Sequence, residues 1–153
     1  MIMKKMTRWG VGPKFALLTM LYAAFVYVVQ TYLVPSWTFT GLEALGILLM
    51  VGGFLFFIYP AVTIDKYFNN GKLRTKGMYA VVRHPIYASW IIWIIPGIVI
   101  YWGSLLAITI PFVAYIILKK LIHVEEDYLT IKFGKEYLNY KARVNAVFPR
   151  INL

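Results

Sequence analysis

Four long apolar stretches, separated by short polar or aromatic segments, dominate the pattern of the chain. They cover residues of about 15–34, 42–64, 86–102 and 105–124. The first two are long enough to cross roughly 30 Å of hydrocarbon at about 1.5 Å per residue. Only Gly103-Ser104 separates the last two, which must therefore form a tight antiparallel hairpin. The pattern predicts an all-α integral membrane protein with about four transmembrane helices.

Glycine and proline positions within these stretches predict helix contacts and bends. Gly52-Gly53 permits another helix to approach the second span closely. Pro60 should kink that span near its end. Pro96 and Pro111 lie at matching distances from the hairpin turn, so both arms should bend at the same depth. We expect this bend to splay the hairpin and to leave room for a ligand near its open end.

The segments outside the spans are polar and short. Residues 65–82 form a polar loop with an Asn-Asn-Gly turn signal. The fourth helix should continue out of the membrane over about 119–133, and Gly134 is placed to end it. A last helix over about 135–145 has an aromatic and a basic face, which is typical of a helix at the membrane surface. Without a repeat or a linker, residues 1–153 are predicted to form one domain with a cytoplasmic C-terminal helical segment.

The distribution of charge orients the spans. The 16 lysines and arginines lie before the first span, between the second and third, and after Leu118 near the end of the fourth, and the other two loops contain none. Cytoplasmic loops carry such an excess of basic residues, so both termini are predicted to be cytoplasmic. A bilayer as partner explains the net charge of +10 better than nucleic acid does. Small size and the lack of an organellar signal favour a prokaryotic cytoplasmic membrane.

The composition excludes several kinds of site. The chain is 61% hydrophobic and 14% charged, which lies far outside the range of soluble proteins. It has no cysteine, which excludes disulfides, thiolate catalysis and cysteine-based zinc sites. With two histidines, little remains for a metal centre, and we predict none.

Two polar islands, Arg83-His84-Pro85-Ile86-Tyr87 and Glu125-Glu126, lie at opposite ends of the hairpin sequence. Arg83 and His84 alone would be interpreted as anchors for the end of the third span. The glutamates are harder to explain, because no cationic residue lies four positions from either on the helix. If the chain reverses at the hairpin turn, both islands reach the same membrane face. Ionisable groups at a membrane edge are functional candidates, so we predict a site where these residues meet.

The order of motifs from residue 77 to 150 carries a family resemblance. Arg-His-Pro-Ile-Tyr, an apolar stretch and Glu-Glu are followed by Phe-Gly-Lys-Glu-Tyr-Leu-Asn-Tyr and a terminal Val-Phe-Pro-Arg. Together they resemble the isoprenylcysteine carboxyl methyltransferase and phospholipid methyltransferase family of integral membrane enzymes. The resemblance implies methyl transfer that uses S-adenosylmethionine, without a soluble Rossmann domain. It also implies that much of the cofactor site is formed by Arg83, His84, Tyr87, Glu125 and Glu126.

The residue types suit that chemistry. A carboxylate can bind ribose hydroxyls or an amino group, and cationic donors can bind the methionine carboxylate. The aromatic faces of Tyr79, Tyr87 and Tyr128 can favour the sulfonium. A carboxylate acceptor needs no base, whereas for a thiol or amine acceptor His84 or one of the glutamates can serve as the catalytic base. Arg143 and Tyr140 are further catalytic candidates, since Arg143 can orient an anionic acceptor.

The acceptor is expected to be lipophilic and to enter sideways from the bilayer. An isoprenylcysteine carboxylate, a phospholipid or another small membrane-soluble molecule fits, and the oligomeric state is left open. Ser89 departs from the resemblance, because many relatives have glycine there. Two alternatives remain. One is an NADPH-dependent enzyme similar to sterol reductases, although no Gly-x-Gly-x-x-Gly turn is present. The other is a non-enzymatic membrane subunit with Gly52-Gly53 as its contact surface.

Overall fold

A computed structural model of the chain describes residues 9–69 and 71–150, with only the backbone at 65–69. In this part of the chain the structure is helical, apart from one isolated bridge. The helices are α1 (Gly12–Tyr32), α2 (Glu43–Asn69), α3 (Met78–Val81), α4 (Pro85–Trp102), α5 (Thr109–Phe133) and α6 (Lys135–Arg143). Four segments are long and apolar enough to cross a membrane: Gly12–Tyr32, Glu43–Ile64, Pro85–Trp102 and Leu106–Phe133. The all-α class with four spans is therefore confirmed.

Several helix ends differ from the prediction. α1 begins three residues earlier than predicted, with a proline in its first turn. α2 continues to Asn69, so the start of the predicted polar loop is helical and that prediction was wrong. No glycine or proline follows Pro60 until the helix ends, which explains the extension. Asn70 of the predicted turn lies outside the described residues, while Gly71 has a φ of +61°. α6 ends at Arg143, two residues early, because Val144 is extended.

α4 is irregular in its first half. Its first turn is α-helical, Ser89–Ile94 form a π-helical segment, and Ile95–Trp102 are α-helical again. Pro96 has no N–H to donate, so the normal hydrogen-bond ladder cannot continue through this region. Gly103, with φ +70°, ends the helix, and a 3₁₀ turn over Leu106–Ile108 leads into α5.

The connection between α4 and α5 is as tight as predicted, but the two arms pack mainly on other helices. α4 lies against α2, and α5 lies against α1. Small residues allow the first contact, because a Cβ on Gly46 or Gly97 would fall 2.8 Å from a backbone oxygen of the opposite helix. A Cβ on Gly53 would fall 2.7 Å from side-chain atoms of Trp93 and Ile94, whereas one on Gly52 would make only ordinary contacts. The predicted glycine contact therefore rests on Gly53 and lies within the chain.

The two uncharged loops meet at one end of the bundle. The backbone N–H of Phe39 donates to the carbonyl of Gly103 at 2.7 Å, and the N–H of Leu105 donates to the carbonyl of Trp37 at 3.0 Å. Buried Gln30 accepts a hydrogen bond from Ser104 Oγ at 2.7 Å and donates to the carbonyl of Trp37. These bonds satisfy polar groups that would be costly in lipid. The charged segments that hold the candidate site therefore gather at the opposite end.

Candidate functional site

The site begins where the chain enters α4. His84 immediately precedes the helix, and Pro85 occupies the first turn, where a missing N–H costs nothing. The backbone N–H groups of Arg83 and His84 donate to the carbonyls of Asn145 and Ala146, at 2.8 and 2.9 Å. The segment after α6 thereby fixes both residues at the end of the span.

Five charged or ionisable side chains meet there, and we call them the charged cluster: Arg83, His84, Glu125, Glu126 and Lys141. Glu126 is only 4% exposed and pairs with Arg83 and, at 2.6 Å, with Lys141. His84 Nδ1 lies 3.5 Å from Glu125 Oε1, and its Nε2 lies 3.6 Å from Glu126 Oε1. Buried charges need such partners, and these come from other segments of the chain, as the sequence predicted.

Glu125 also contacts the start of the chain. Its Oε2 accepts hydrogen bonds from the Tyr87 hydroxyl at 3.0 Å and from the backbone N–H of Val11 at 3.4 Å. Gly10, with φ +52°, lies so close that a Cβ there would overlap this carboxylate. The segment just before α1 therefore closes one side of the site.

The charge state of His84 follows from its two glutamate neighbours. Burial alone would lower its pKa, but hydrogen bonds and charge interactions with Glu125 and Glu126 outweigh burial and raise the pKa above its ordinary value. The imidazole is therefore more readily protonated than a free histidine.

A cavity of about 160 Å³ opens beside the charged cluster. Seven of the nine predicted site residues line it: Tyr79, Arg83, His84, Tyr87, Glu125, Tyr128 and Tyr140. Apolar groups such as Ile86 and Phe133 complete its walls. Carboxylate and aromatic groups favour a cation, while the basic groups favour an anion. The cavity is thus suited to a ligand that carries both charges and an apolar part.

The other two predicted residues are not among those that line the cavity. Glu126 faces Arg83 and Lys141 instead. Arg143 is exposed and donates from Nε to the carbonyl of Asn139 at 3.2 Å. Tyr140 lines the cavity, but its hydroxyl donates to the carbonyl of Tyr79 at 2.5 Å. Its contact is therefore with the backbone that shapes the cavity wall.

Sequence reasoning missed several contributors, among them Lys141, Arg74 and the segment Trp9–Val11. Gly10 and Gly12 were a usable signal, because glycines beside a span often mark a close approach of backbone to another group. Nothing in the spacing of Lys141 pointed to Glu126, since the pairing depends on how α6 folds back. Arg74 was counted only as a basic loop residue.

A family model described as the isoprenylcysteine carboxyl methyltransferase (ICMT) family matches residues 47–131, more than half of the chain. This region includes most of α2, all of α3 and α4, and nearly all of α5. It contains both polar islands, whereas the segment before α1 and helix α6 lie outside it.

Similar proteins carry related names. Protein-S-isoprenylcysteine O-methyltransferase B of Arabidopsis thaliana is 35% identical over 81 residues, which are 53% of this chain and 41% of the relative. Protein-S-isoprenylcysteine O-methyltransferase of Mus musculus is 31% identical over 121 residues, 73% of this chain and 43% of the relative. The Homo sapiens protein of that name is 34% identical over 79 residues, 52% of this chain and 28% of the relative. The chain thus spans less than half the length of these relatives.

Proposed function

The chain belongs to the isoprenylcysteine carboxyl methyltransferase family, and from this premise we propose that it transfers a methyl group from S-adenosylmethionine to the carboxylate of a lipophilic acceptor of the isoprenylcysteine kind. The relatives bear the name of that reaction. The observation that carries the proposal is the meeting of Glu125, His84 and Tyr87 at the wall of one cavity at the end of the spans.

The groups present fit S-adenosylmethionine. The cofactor has a sulfonium and an ammonium, a carboxylate, ribose hydroxyls and an aromatic base. Glu125 can accept from hydroxyl or ammonium donors, and the faces of Tyr87 and Tyr128 can contact the cations. The buried hydroxyl of Tyr137, also at the cavity, makes no hydrogen bond to a described residue and can serve a ligand. Burial raises the pKa of Tyr137, so this hydroxyl keeps its proton.

When bound, S-adenosylmethionine would supply an activated methyl group, which would pass to an acceptor oxygen with release of S-adenosylhomocysteine. The protein's part is then positioning and exclusion of water. Glu125, held by His84, Tyr87 and the Val11 N–H, presents a fixed carboxylate at the cavity. A carboxylate acceptor loses no proton in this reaction. Such an acceptor therefore needs no general base from His84, whereas an amine acceptor would need one.

We assign Glu126 a different part from Glu125. Glu126 pairs with Arg83, which lines the cavity, and with Lys141, which is not among the lining residues, and through them it holds the segments on which the wall is built. Arg83 thus acts at the cavity through its position between Glu126 and the segment after α6, with its guanidinium also bound to the Val144 carbonyl.

The reaction is proposed to occur at the cytoplasmic face. The basic residues flank the same ends of the spans as the cavity, and the positive-inside rule assigns those ends to the cytoplasm. The spans expose large apolar side chains such as Leu21, Leu55 and Phe112, which suits a bilayer as surroundings and a lipophilic acceptor that arrives through it. Both termini are then cytoplasmic, and the prokaryotic membrane stays a prediction.

Calorimetric titration of the detergent-purified protein with S-adenosylhomocysteine tests the proposal. We expect saturable binding by the wild type and a loss of about tenfold or more in affinity for Glu125→Gln, because a charged hydrogen-bonding partner is lost. Asp127→Asn is the matched control, since Asp127 is exposed on the same helix and is not among the residues that line the cavity. Its affinity should equal that of the wild type.

NADPH is titrated in parallel. Absence of S-adenosylhomocysteine binding by the folded wild type would refute the proposal, and binding of NADPH in its place would support the reductase alternative. If Glu125→Gln and the wild type bound S-adenosylhomocysteine equally well, only the role assigned to Glu125 would be refuted, and the proposed function would stand.

A further inference from the structure

Arg74, in the loop between α2 and α3, is a buried cation at the cavity wall. Its side chain lines the cavity, yet the residue is only 8% exposed. The guanidinium carbon lies 5.2 Å from the ring centroid of Tyr59 and 5.0 Å from that of Tyr79. Arginine is almost never fully buried without partners, and aromatic faces stabilise a desolvated cation. The fold therefore holds a positive charge at a fixed place beside the ligand cavity.

The two rings that enclose Arg74 are themselves held from other segments. The carbonyl of Tyr79 accepts a hydrogen bond from the Tyr140 hydroxyl of α6 at 2.5 Å. At the turn before α3, Gly77 has φ +66°, and a Cβ there would lie 3.1 Å from the Tyr59 hydroxyl. Helix α2, the loop and α6 thus meet around the guanidinium.

The charge balance of the cavity points to an anion on this side. Among the described residues that line the cavity, Glu125 is the acidic one, and five are basic: Lys72, Arg74, Arg83, His84 and Lys132. Arg83 pairs with Glu126, and His84 lies beside both glutamates. Lys72, Arg74 and Lys132 are the other basic residues of this lining. A lining with more basic than acidic groups favours a negatively charged group of a ligand.

We propose that Arg74 binds a carboxylate inside the cavity. A planar guanidinium matches the two oxygens of a carboxylate, and the rings of Tyr59 and Tyr79 lie close enough to stabilise its charge. The inference rests on the proposed function, whose two ligands each bring one carboxylate: the methionine part of the cofactor and the cysteine part of the acceptor. Arg74 thereby takes the anion-binding role for which the sequence suggested Arg143, a residue outside the cavity lining.

Two pairs of ligands, each with and without a carboxylate, identify which carboxylate Arg74 binds. S-adenosylhomocysteine is compared with 5′-methylthioadenosine, which lacks the amino-acid part, and N-acetyl-S-farnesylcysteine is compared with its methyl ester. Each is titrated against wild type, Arg74→Gln and Arg74→Lys. Lys76→Gln is the control, because Lys76 is an exposed cation of the same loop and is not among the residues that line the cavity.

We expect Arg74→Gln to weaken one carboxylate ligand by about tenfold or more, with its carboxylate-free counterpart unchanged. Arg74→Lys should lose less affinity, because lysine keeps the positive charge but lacks the two parallel N–H donors of the guanidinium. Loss confined to S-adenosylhomocysteine identifies the cofactor's carboxylate, and loss confined to the farnesylcysteine acid identifies the acceptor's. The Lys76→Gln control should match the wild type with all four ligands.

Three results overturn the inference. Equal affinities for both carboxylate ligands in wild type and Arg74→Gln would exclude the binding role and leave the proposed function intact. If Arg74→Gln weakened a carboxylate ligand and its carboxylate-free counterpart equally, Arg74 would only support the fold. Failure of the wild type to bind S-adenosylhomocysteine would refute the proposed function itself, and the inference with it.

Discussion

Glu125 and Glu126 are neighbours in sequence but differ in surroundings. Glu126 is 4% exposed and faces Arg83 and Lys141, whereas Glu125 lines the cavity and accepts from Tyr87 and Val11. Adjacent positions on a helix point about 100° apart, so one side chain can face the packed interior while the next faces a ligand. Glu126 therefore contributes to the packing of the fold, and Glu125 contributes to the cavity.

His84 should make the stability of the protein depend on pH. Its pKa is raised in the folded state, so the ion pairs with Glu125 and Glu126 stabilise the protein fully below the ordinary histidine pKa of about 6.5. This contribution is lost as the pH rises through the raised pKa, by up to about 1.4 kcal/mol per pH unit. We expect the Tm in detergent to fall as the pH rises above about 6.5, and His84→Gln to flatten that slope. Parallel slopes for the two proteins would contradict this account.

At the scale of elements, α2 and α4 depend on glycine contacts. Gly46 and Gly97 each lie against backbone of the opposite helix, and Gly53 lies against Ile94 and Trp93. Lipid gives helices no hydrophobic reason to associate, so close packing at small residues carries this contact. Because His84 directly precedes α4, this packing also positions the first half of the site.

Gly53→Ala should therefore destabilise the fold, and Gly52→Ala should not. The added methyl of Gly53→Ala would fall 2.7 Å from Trp93 Cβ and Ile94 Cγ1, so we expect a loss of about 1–3 kcal/mol. The added methyl of Gly52→Ala would meet only the Trp93 ring, at 3.7 Å, so its effect should stay within about 0.5 kcal/mol. Unfolding midpoints of both variants in mixed detergents measure the difference. Equal midpoints would show that the helices can shift apart without cost.

Elements were predictable where one local signal dominates. Apolar length identified the four spans, and Gly134 ends α5 with φ +53° as expected. The extension of α2 to Asn69 was missed, because polar side chains after Ile64 were interpreted as a loop although no residue there ends a helix. The π-helical part of α4 depends on how Pro96 is accommodated by its neighbours, which composition does not specify.

At the scale of the whole molecule, the two ends of the bundle differ in chemistry. One end joins uncharged loops through Gln30 and Ser104, and the other brings together the charged cluster and the cavity. The sequence predicted this polarity from the distribution of lysine and arginine, and it predicted that Arg83 and His84 meet the glutamates. It did not predict contacts such as Val11 to Glu125, 114 residues apart, because docking of the chain ends leaves no periodic pattern.

The central claim is that this membrane-edge cavity directs a methyl group to a carboxylate. The most direct measurement follows radiolabelled methyl from S-adenosylmethionine to N-acetyl-S-farnesylcysteine in detergent or vesicles, with wild type, Glu125→Gln and Asp127→Asn. We predict a base-labile product, as a methyl ester is, with kcat/KM lower by about tenfold or more in Glu125→Gln and unchanged in Asp127→Asn. No transfer, or label found only in base-stable form on an amine, would contradict the account.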